Sequence, residues 1–148
     1  MTNTFNTEGP FDRPLAIAVA NMVNAKRWQN KTITFSELSE RLETTVRTNE
    51  TVDEYRKGSK ELRQKAKDQG GFVGGFLKDG KRVAGAVEYR SMLTLDADNT
   101  EQDLINRLIE ESDVKVIIYT THGHTPTEPR IRIIAFLQRA GLSSLSKG

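Results

Sequence analysis

Ser91-Met92-Leu93-Thr94-Leu95-Asp96-Ala97-Asp98-Asn99 decides the fold reading, because an apolar strand pattern runs directly into two carboxylates two residues apart. A strand repeats every two residues, so Asp96 and Asp98 share one face while Ala97 points to the other. Two carboxylates so placed repel each other unless a cation or a proton lies between them. At neutral pH the natural cation is Mg²⁺ or Mn²⁺, a hard ion held by one or two carboxylates, waters and substrate phosphates. The pair is therefore a candidate phosphoryl-transfer metal site. The plainer alternative is a strand that ends in a polar turn, closed by Asp-x-Asp-Asn.

Downstream, Thr100 and Asp103 stand in capping-box-like spacing, and Leu104, Ile105, Leu108 and Ile109 fall on one helical face. The apolar run Val114-Lys115-Val116-Ile117-Ile118-Tyr119 follows, then Thr120-Thr121-His122-Gly123-His124-Thr125-Pro126-Thr127-Glu128-Pro129-Arg130, then strand-like Ile131-Arg132-Ile133-Ile134. The order is strand, helix, strand and hairpin-like return. A right-handed βαβ crossover makes the two apolar strands parallel. It brings Asp96, Asp98, His122 and His124 to one edge of the sheet, where the carboxyl ends of strands commonly form ligand crevices.

Upstream, Leu15-Ala16-Ile17-Ala18-Val19-Ala20 is too short to settle its own period and fits a strand or the start of a helix. Thr34-Phe35-Ser36-Glu37 offers a capping box, which predicts a helix over about residues 35–43. Ser59 caps a second helix running to Lys67, and Gly70-Gly71 stops it. Asp79-Gly80 signals a hairpin turn before Lys81-Arg82-Val83. The glycines of Gly71-Phe72-Val73-Gly74-Gly75 fit either a bulged edge strand or a hairpin crossed closely by a nucleotide or template strand. Residues 1–13 read as a polar arm, 14–137 as one domain and 138–148 as a divergent polar tail.

Three stretches together resemble the archaeo-eukaryotic primase-polymerase superfamily, in the form found at the front of phage and mobile-element primase-helicase replication proteins. They are Gly70 to Arg82, Arg90 to Asp98, and Tyr119 to Pro126 with Pro129 to Ile134, and residues 45–55 upstream are similar too. The likeness runs from about Pro14 to Ile134, with the motifs in the family's order. It implies an α/β (α+β) domain, primase-polymerase-like, with an RRM-like sheet containing a βαβ unit and an N-terminal helical and strand segment. It also favours a strand over residues 15–20. By resemblance Asp96 and Asp98 hold Mg or Mn, and Thr120-Thr121-His122 matches a small-x-His motif that contacts nucleotide phosphate, making Asp96, Asp98 and His122 the catalytic set. Thr120, His124, Arg130, Arg132 and Arg90 are candidate phosphate or nucleic-acid contacts. The family's third acidic motif has no counterpart in this sequence, so a truncated, catalytically incomplete copy is expected.

The 148 residues suit a single domain, large enough to bury roughly two-thirds of its unfolded surface. Hydrophobic content of 36% and charged content of 28% suit a globular protein. No apolar run spans a membrane and no secretory signal is visible, so the host cytoplasm is the expected location. The absence of cysteine excludes disulfides and thiolate metal sites. With 22 basic and 20 acidic residues the net charge is only +2, so any attraction to nucleic acid must come from a local patch. Arg56, Lys57, Lys60, Arg63, Lys65 and Lys67 alternate with acids as on a solvated helix face, whereas the topology gathers Arg82, Arg90, Arg130 and Arg132 near the carboxylates.

Other chemistry is thinner. His122 and His124 could serve zinc only with Asp96 or Asp98 as a further ligand. No Walker-type loop is present. Trp28 reads as a packing residue rather than a base-stacking platform, although Lys26 and Arg27 precede it. Three functions remain: a primase-polymerase-like domain that binds nucleotide or nucleic acid, a non-enzymatic inhibitor of host defence of the anti-CRISPR type that binds a host or phage protein, and a metal-dependent nuclease.

Overall fold

The computed structural model describes residues 12–98, 100–111 and 115–137. Most of the arm expected over residues 1–13, and all of the tail expected over 138–148, lie outside the described residues. Asp12 is described, and its carboxylate accepts the Ser36 N–H at 3.0 Å.

β1 (Leu15–Ala20) is the strand that the resemblance favoured. It lies at the centre of a sheet, antiparallel to β2 (Gln29–Ile33) on one side and β3 (Gly71–Val73) on the other. Its run of large and small residues fits that place. Leu15 and Ile17 project into one core with Phe35, Leu38, Met92, Ile117, Ile134 and Phe136, and Val19 packs against it. Ala18 faces a second core with Trp28 and Leu77, where the small side chain leaves room for the indole. A strand buried on both faces shows no polar alternation, which is why its sequence resembled a helix start.

The helices begin where local chemistry starts them. Thr34 and Glu37 form the predicted capping box, and α1 spans Phe35–Glu43. A second box, Thr51 with Glu54, opens α2 (Val52–Lys57), and the Ser59 hydroxyl accepts the Leu62 N–H to open α3 (Lys60–Lys67). The expected box at Thr100 does not form. α4 spans Gln102–Glu111, and the buried Thr100 Oγ1 has no partner among the described residues. The helix therefore starts one residue too late for Thr100 to cap it.

The Asp79-Gly80 turn also differs from its expectation. β4 (Gly75–Leu77) pairs with β5 (Val87–Arg90), so the return strand starts beyond Lys81-Arg82-Val83. Asp79 and Gly80 do take left-handed φ values of 53° and 63°. Gly80, however, turns its carbonyl to the Trp28 N–H at 2.8 Å, while the ladder resumes with Lys78 N–H donating to Ala86 at 2.8 Å. Pairing with the β2 side has drawn the turn out of the hairpin.

β6 (Met92–Asp98), β7 (Val116–Thr120) and β8 (Arg130–Phe136) form a third sheet in the order β6-β8-β7. Both outer strands are antiparallel to β8, so β6 and β7 run parallel, as the crossover through α4 predicts. They are not neighbours, because β8 lies between them in a split βαβ arrangement. The protein is thus mixed α and β, with small antiparallel sheets and four α-helices among the described residues. None of those helices is long and apolar enough to cross a membrane.

Register assigns the faces of this sheet. Met92, Thr94, Asp96 and Asp98 stand opposite Phe136, Ile134, Arg132 and Arg130. Ile117 and Tyr119 join the same face from β7. The Met92 end enters the main core, with the Phe35 and Phe136 rings edge-on at 4.5 Å, and the aspartate end stays open. On the other face Ile131 and Ile133 are buried, and α4 has the apolar stripe to cover them, its Leu104, Ile105, Leu108 and Ile109 being half-buried.

Asn30 fastens the first sheet to β4. Its side-chain Nδ2 donates to the Leu77 carbonyl and its Oδ1 accepts the Leu77 N–H, both at 2.9 Å, replacing a strand residue. Leu77 is buried, so both backbone groups would lose their partner with the amide. Asn30→Ala is expected to lower the unfolding free energy by about 1–3 kcal/mol, the cost of stranding buried polar groups. Urea denaturation measures it, and a loss below about 0.5 kcal/mol would show that water replaces the amide.

Candidate functional site

The open end of the third sheet holds two acid–base pairs in cross-strand register. Asp96 lies opposite Arg132 and Asp98 opposite Arg130. The Asp96 carboxylate takes a two-pronged contact, Nε to Oδ1 at 2.5 Å and Nη2 to Oδ2 at 3.0 Å. Forked contacts of this kind are among the stronger ion pairs because both donors are aligned at once. Arg130 Nε approaches Asp98 Oδ1 only to 4.0 Å, and it is buried with no hydrogen bond among the described residues.

The electrostatics follow from these contacts. The Arg132 hydrogen bonds hold the Asp96 carboxyl below its ordinary range, and the same bonds keep Arg132 protonated. Tyr119 stands across from Arg132 on β7, and burial pushes its phenol upward against the smaller opposing pull of that guanidinium. Tyr119, Arg132 and Asp96 therefore form one connected polar row.

The other expected residues are distributed around this row. Thr120 ends β7 opposite Ile131, so its side chain lies on the reverse face of the sheet. His124 is beside the pairs, its Nδ1 accepting the Arg130 N–H at 3.2 Å. His122 lies in the turn with Gly123 at φ 88°, and its ring meets Tyr55 edge-on at 4.4 Å. Its Nε2 is 3.5 Å from Glu50 Oε1, while Thr48 donates to the same oxygen and lowers the Glu50 carboxyl's pKa. Among the described residues no hydrogen bond or ion pair joins His122 to either aspartate. Arg90 is on β5 opposite Gly75, at the far end of β6 from Asp96, about 20 Å away along a strand. Arg82 lies over the Trp28 ring at 5.2 Å, away from the carboxylates.

A family model, the VapE N-terminal domain, matches residues 2–144. The chain belongs to the VapE N-terminal domain family. This membership supports an origin in a phage or mobile-element replication protein. No match was found among curated proteins or among solved structures.

In this VapE N-terminal domain, residues 45–55 had signalled likeness without revealing a role, and the structure supplies one. Glu50 and Tyr55 contact His122, and Arg56 reaches Glu128 at 3.9 Å, so α2 and the residue Glu50 before it brace the β7–β8 turn. Tyr119 ends an apolar run and opens one of the stretches that carry the resemblance, with no role assigned to its phenol. Its pairing with Arg132 needed the register, which sequence spacing alone does not provide.

As a two-carboxylate centre the domain offers limited metal capacity. Among the described residues no group of three or more His, Cys, Asp and Glu could hold an ion. Asp96 and Asp98, the carboxylates expected to hold Mg or Mn, share one strand face, and each faces an arginine of β8.

Because Asp96 is depressed in the folded state, its contribution is present above the unfolded carboxylate pKa near ~3.9 and is lost as pH falls through the lower folded value. Asp12, Glu50, Glu54 and Glu61 are shifted the same way by their hydrogen bonds. Stability measured by urea unfolding should therefore fall from pH 5 to pH 2.5, and Asp96→Asn should show a smaller fall. The carboxylate is largely exposed, so a double-mutant cycle with Arg132 at pH 7 should give no more than about 1 kcal/mol. Equal acid losses in Asp96→Asn and the parent would contradict the pairing.

Proposed function

We propose that the chain is a nucleotide-phosphate or nucleic-acid-binding domain of a mobile-element replication protein, with its site at the paired end of β6 and β8. The observation that carries this reading is the presence of two carboxylates and two guanidiniums in register on one open sheet face. A metal-bound nucleotide presents both signs of charge together. A face whose acids and bases neutralise each other at rest can exchange each internal partner for the matching part of such a ligand. The resemblance to primase-polymerase domains supports the same placement.

In this reading Arg132 and Arg130 bind phosphate oxygens, Arg132 through its planar fork and Arg130 through the exposed part of its guanidinium, its Nε being buried. Tyr119 holds Arg132 from the side away from β6, and His124 fixes the Arg130 backbone. His122, braced by Glu50 and Tyr55, orients the turn beside them. Asp96 and Asp98 would hold Mg or Mn, which supplies neutralisation of phosphate charge when bound. Two carboxylates serve one such ion, so the domain binds without efficient templated polymerisation, which needs acidic ligands for two.

Isothermal titration of Mn²⁺ with a nucleoside triphosphate tests the site. Binding is expected to be weak. Arg132→Ala should reduce it at least about tenfold, as for a charge-assisted contact of ~1.5 kcal/mol. Asp96→Asn with Asp98→Asn should remove the manganese dependence. Unchanged binding in both variants would exclude this face as the site.

A further inference from the structure

A second charged surface lies elsewhere in the fold, where the start of β2 meets the β4–β5 connection. The backbones are pinned together there by Trp28 N–H donating to the Gly80 carbonyl, and by the Asn30 amide bonded twice to Leu77. A Cβ on Gly80 would overlap the Trp28 carbonyl oxygen, so this close approach requires glycine. Beside the junction is an open cavity of about 480 Å³ whose walls include Arg27, Trp28, Asn30, Gly80 and Lys81 together with the acid Asp79.

The charge of the two segments is one-sided. Between Arg13 and Glu37 the sequence has no acidic residue, and the connection adds only Asp79. Against that single acid stand Lys26, Arg27, Lys78, Lys81 and Arg82, all exposed, whereas Lys31, opposite Ile17, is on the other face of β2. Among the described residues none of these five is in an ion pair, and only Arg82 has a ring contact, over Trp28. Arg27 and Lys81 line the cavity beside Asp79, and Lys26, Lys78 and Arg82 are their neighbours in the two segments.

We propose that this cavity and its basic rim bind the phosphodiester backbone of a single-stranded nucleic acid. The bases come from two separate segments rather than one point, which suits successive phosphates along a strand. Trp28 is buried and contributes a rigid wall rather than a stacking face. Selectivity for base sequence is therefore not expected, because contacts to phosphate position a strand without reading it. The surface is independent of the Asp96–Arg132 face, and either reading can fail without the other.

Trp28 is the only tryptophan in the chain, so its fluorescence reports directly on this cavity. Titrating the full chain with an unlabelled 20-nucleotide oligo-dT at low salt should give a saturable change in emission, with affinity falling as salt rises. Arg27→Ala with Lys81→Ala should weaken binding at least about tenfold and flatten the log–log salt slope by about 1.4, two phosphates at ~0.7 each. Lys26→Ala with Lys78→Ala should act in the same direction. Far-UV circular dichroism checks that each variant is folded. Absence of a saturable signal, or equal affinity and slope in both folded basic variants, overturns the proposal. So does inorganic triphosphate saturating the signal as tightly as the oligonucleotide, since the ligand would then be a polyphosphate rather than a strand.

Discussion

Ser91 bonds to three separate parts of the chain, and the arrangement of the sheets depends on it. Its hydroxyl donates to the Ala16 carbonyl of β1 at 2.7 Å, its N–H donates to Gly74 at 3.1 Å, and its carbonyl accepts Leu137 N–H at 3.2 Å. Because it also joins β5 to β6, one buried residue touches all three sheets. Gly74 has no room for a side chain here, since a Cβ would overlap Met92. The two cores meet around this point and fix where the open end of β6 faces.

The same electrostatic necessity operates at that open end. Adjacent carboxylates on a strand need nearby positive charge. In this domain β8 provides it as arginine at alternate positions, so Asp96 and Asp98 are neutralised by the neighbouring strand. A face arranged in this way has its charges balanced within the sheet, each carboxylate opposite a guanidinium.

Much of this was legible because local chemistry is written locally. Thr34 with Glu37 and Ser59 with Leu62 are contacts over three residues, and both helices begin where those residues place them. The parallel course of β6 and β7 followed from strand, helix and strand in succession. What could not be read was pairing across distance. That β8 inserts between β6 and β7, that Tyr119 meets Arg132, and that Glu50 and Tyr55 hold His122 all depend on residues far apart in sequence. The Asp79-Gly80 turn shows the converse: its left-handed conformation was correctly signalled, yet a bond to Trp28 moved it out of the hairpin. Thr100 had the right spacing for a cap and was missed by the helix start by one residue.

The insertion of β8 between two parallel strands also governs the order of assembly. β6 and β7 have no ladder with each other, and each gains its partner only when β8 arrives, with Arg132 closing onto Asp96 from 36 positions away. During synthesis from the amino terminus, both strands therefore leave the ribosome before either can be paired. Such long-range closure slows folding relative to helices and simple hairpins. Until β8 emerges, Ile117 and Met92 have no β8 neighbour in the sheet, and the nascent domain passes through a stage in which the apolar side chains of β6 and β7 lack their partner strand.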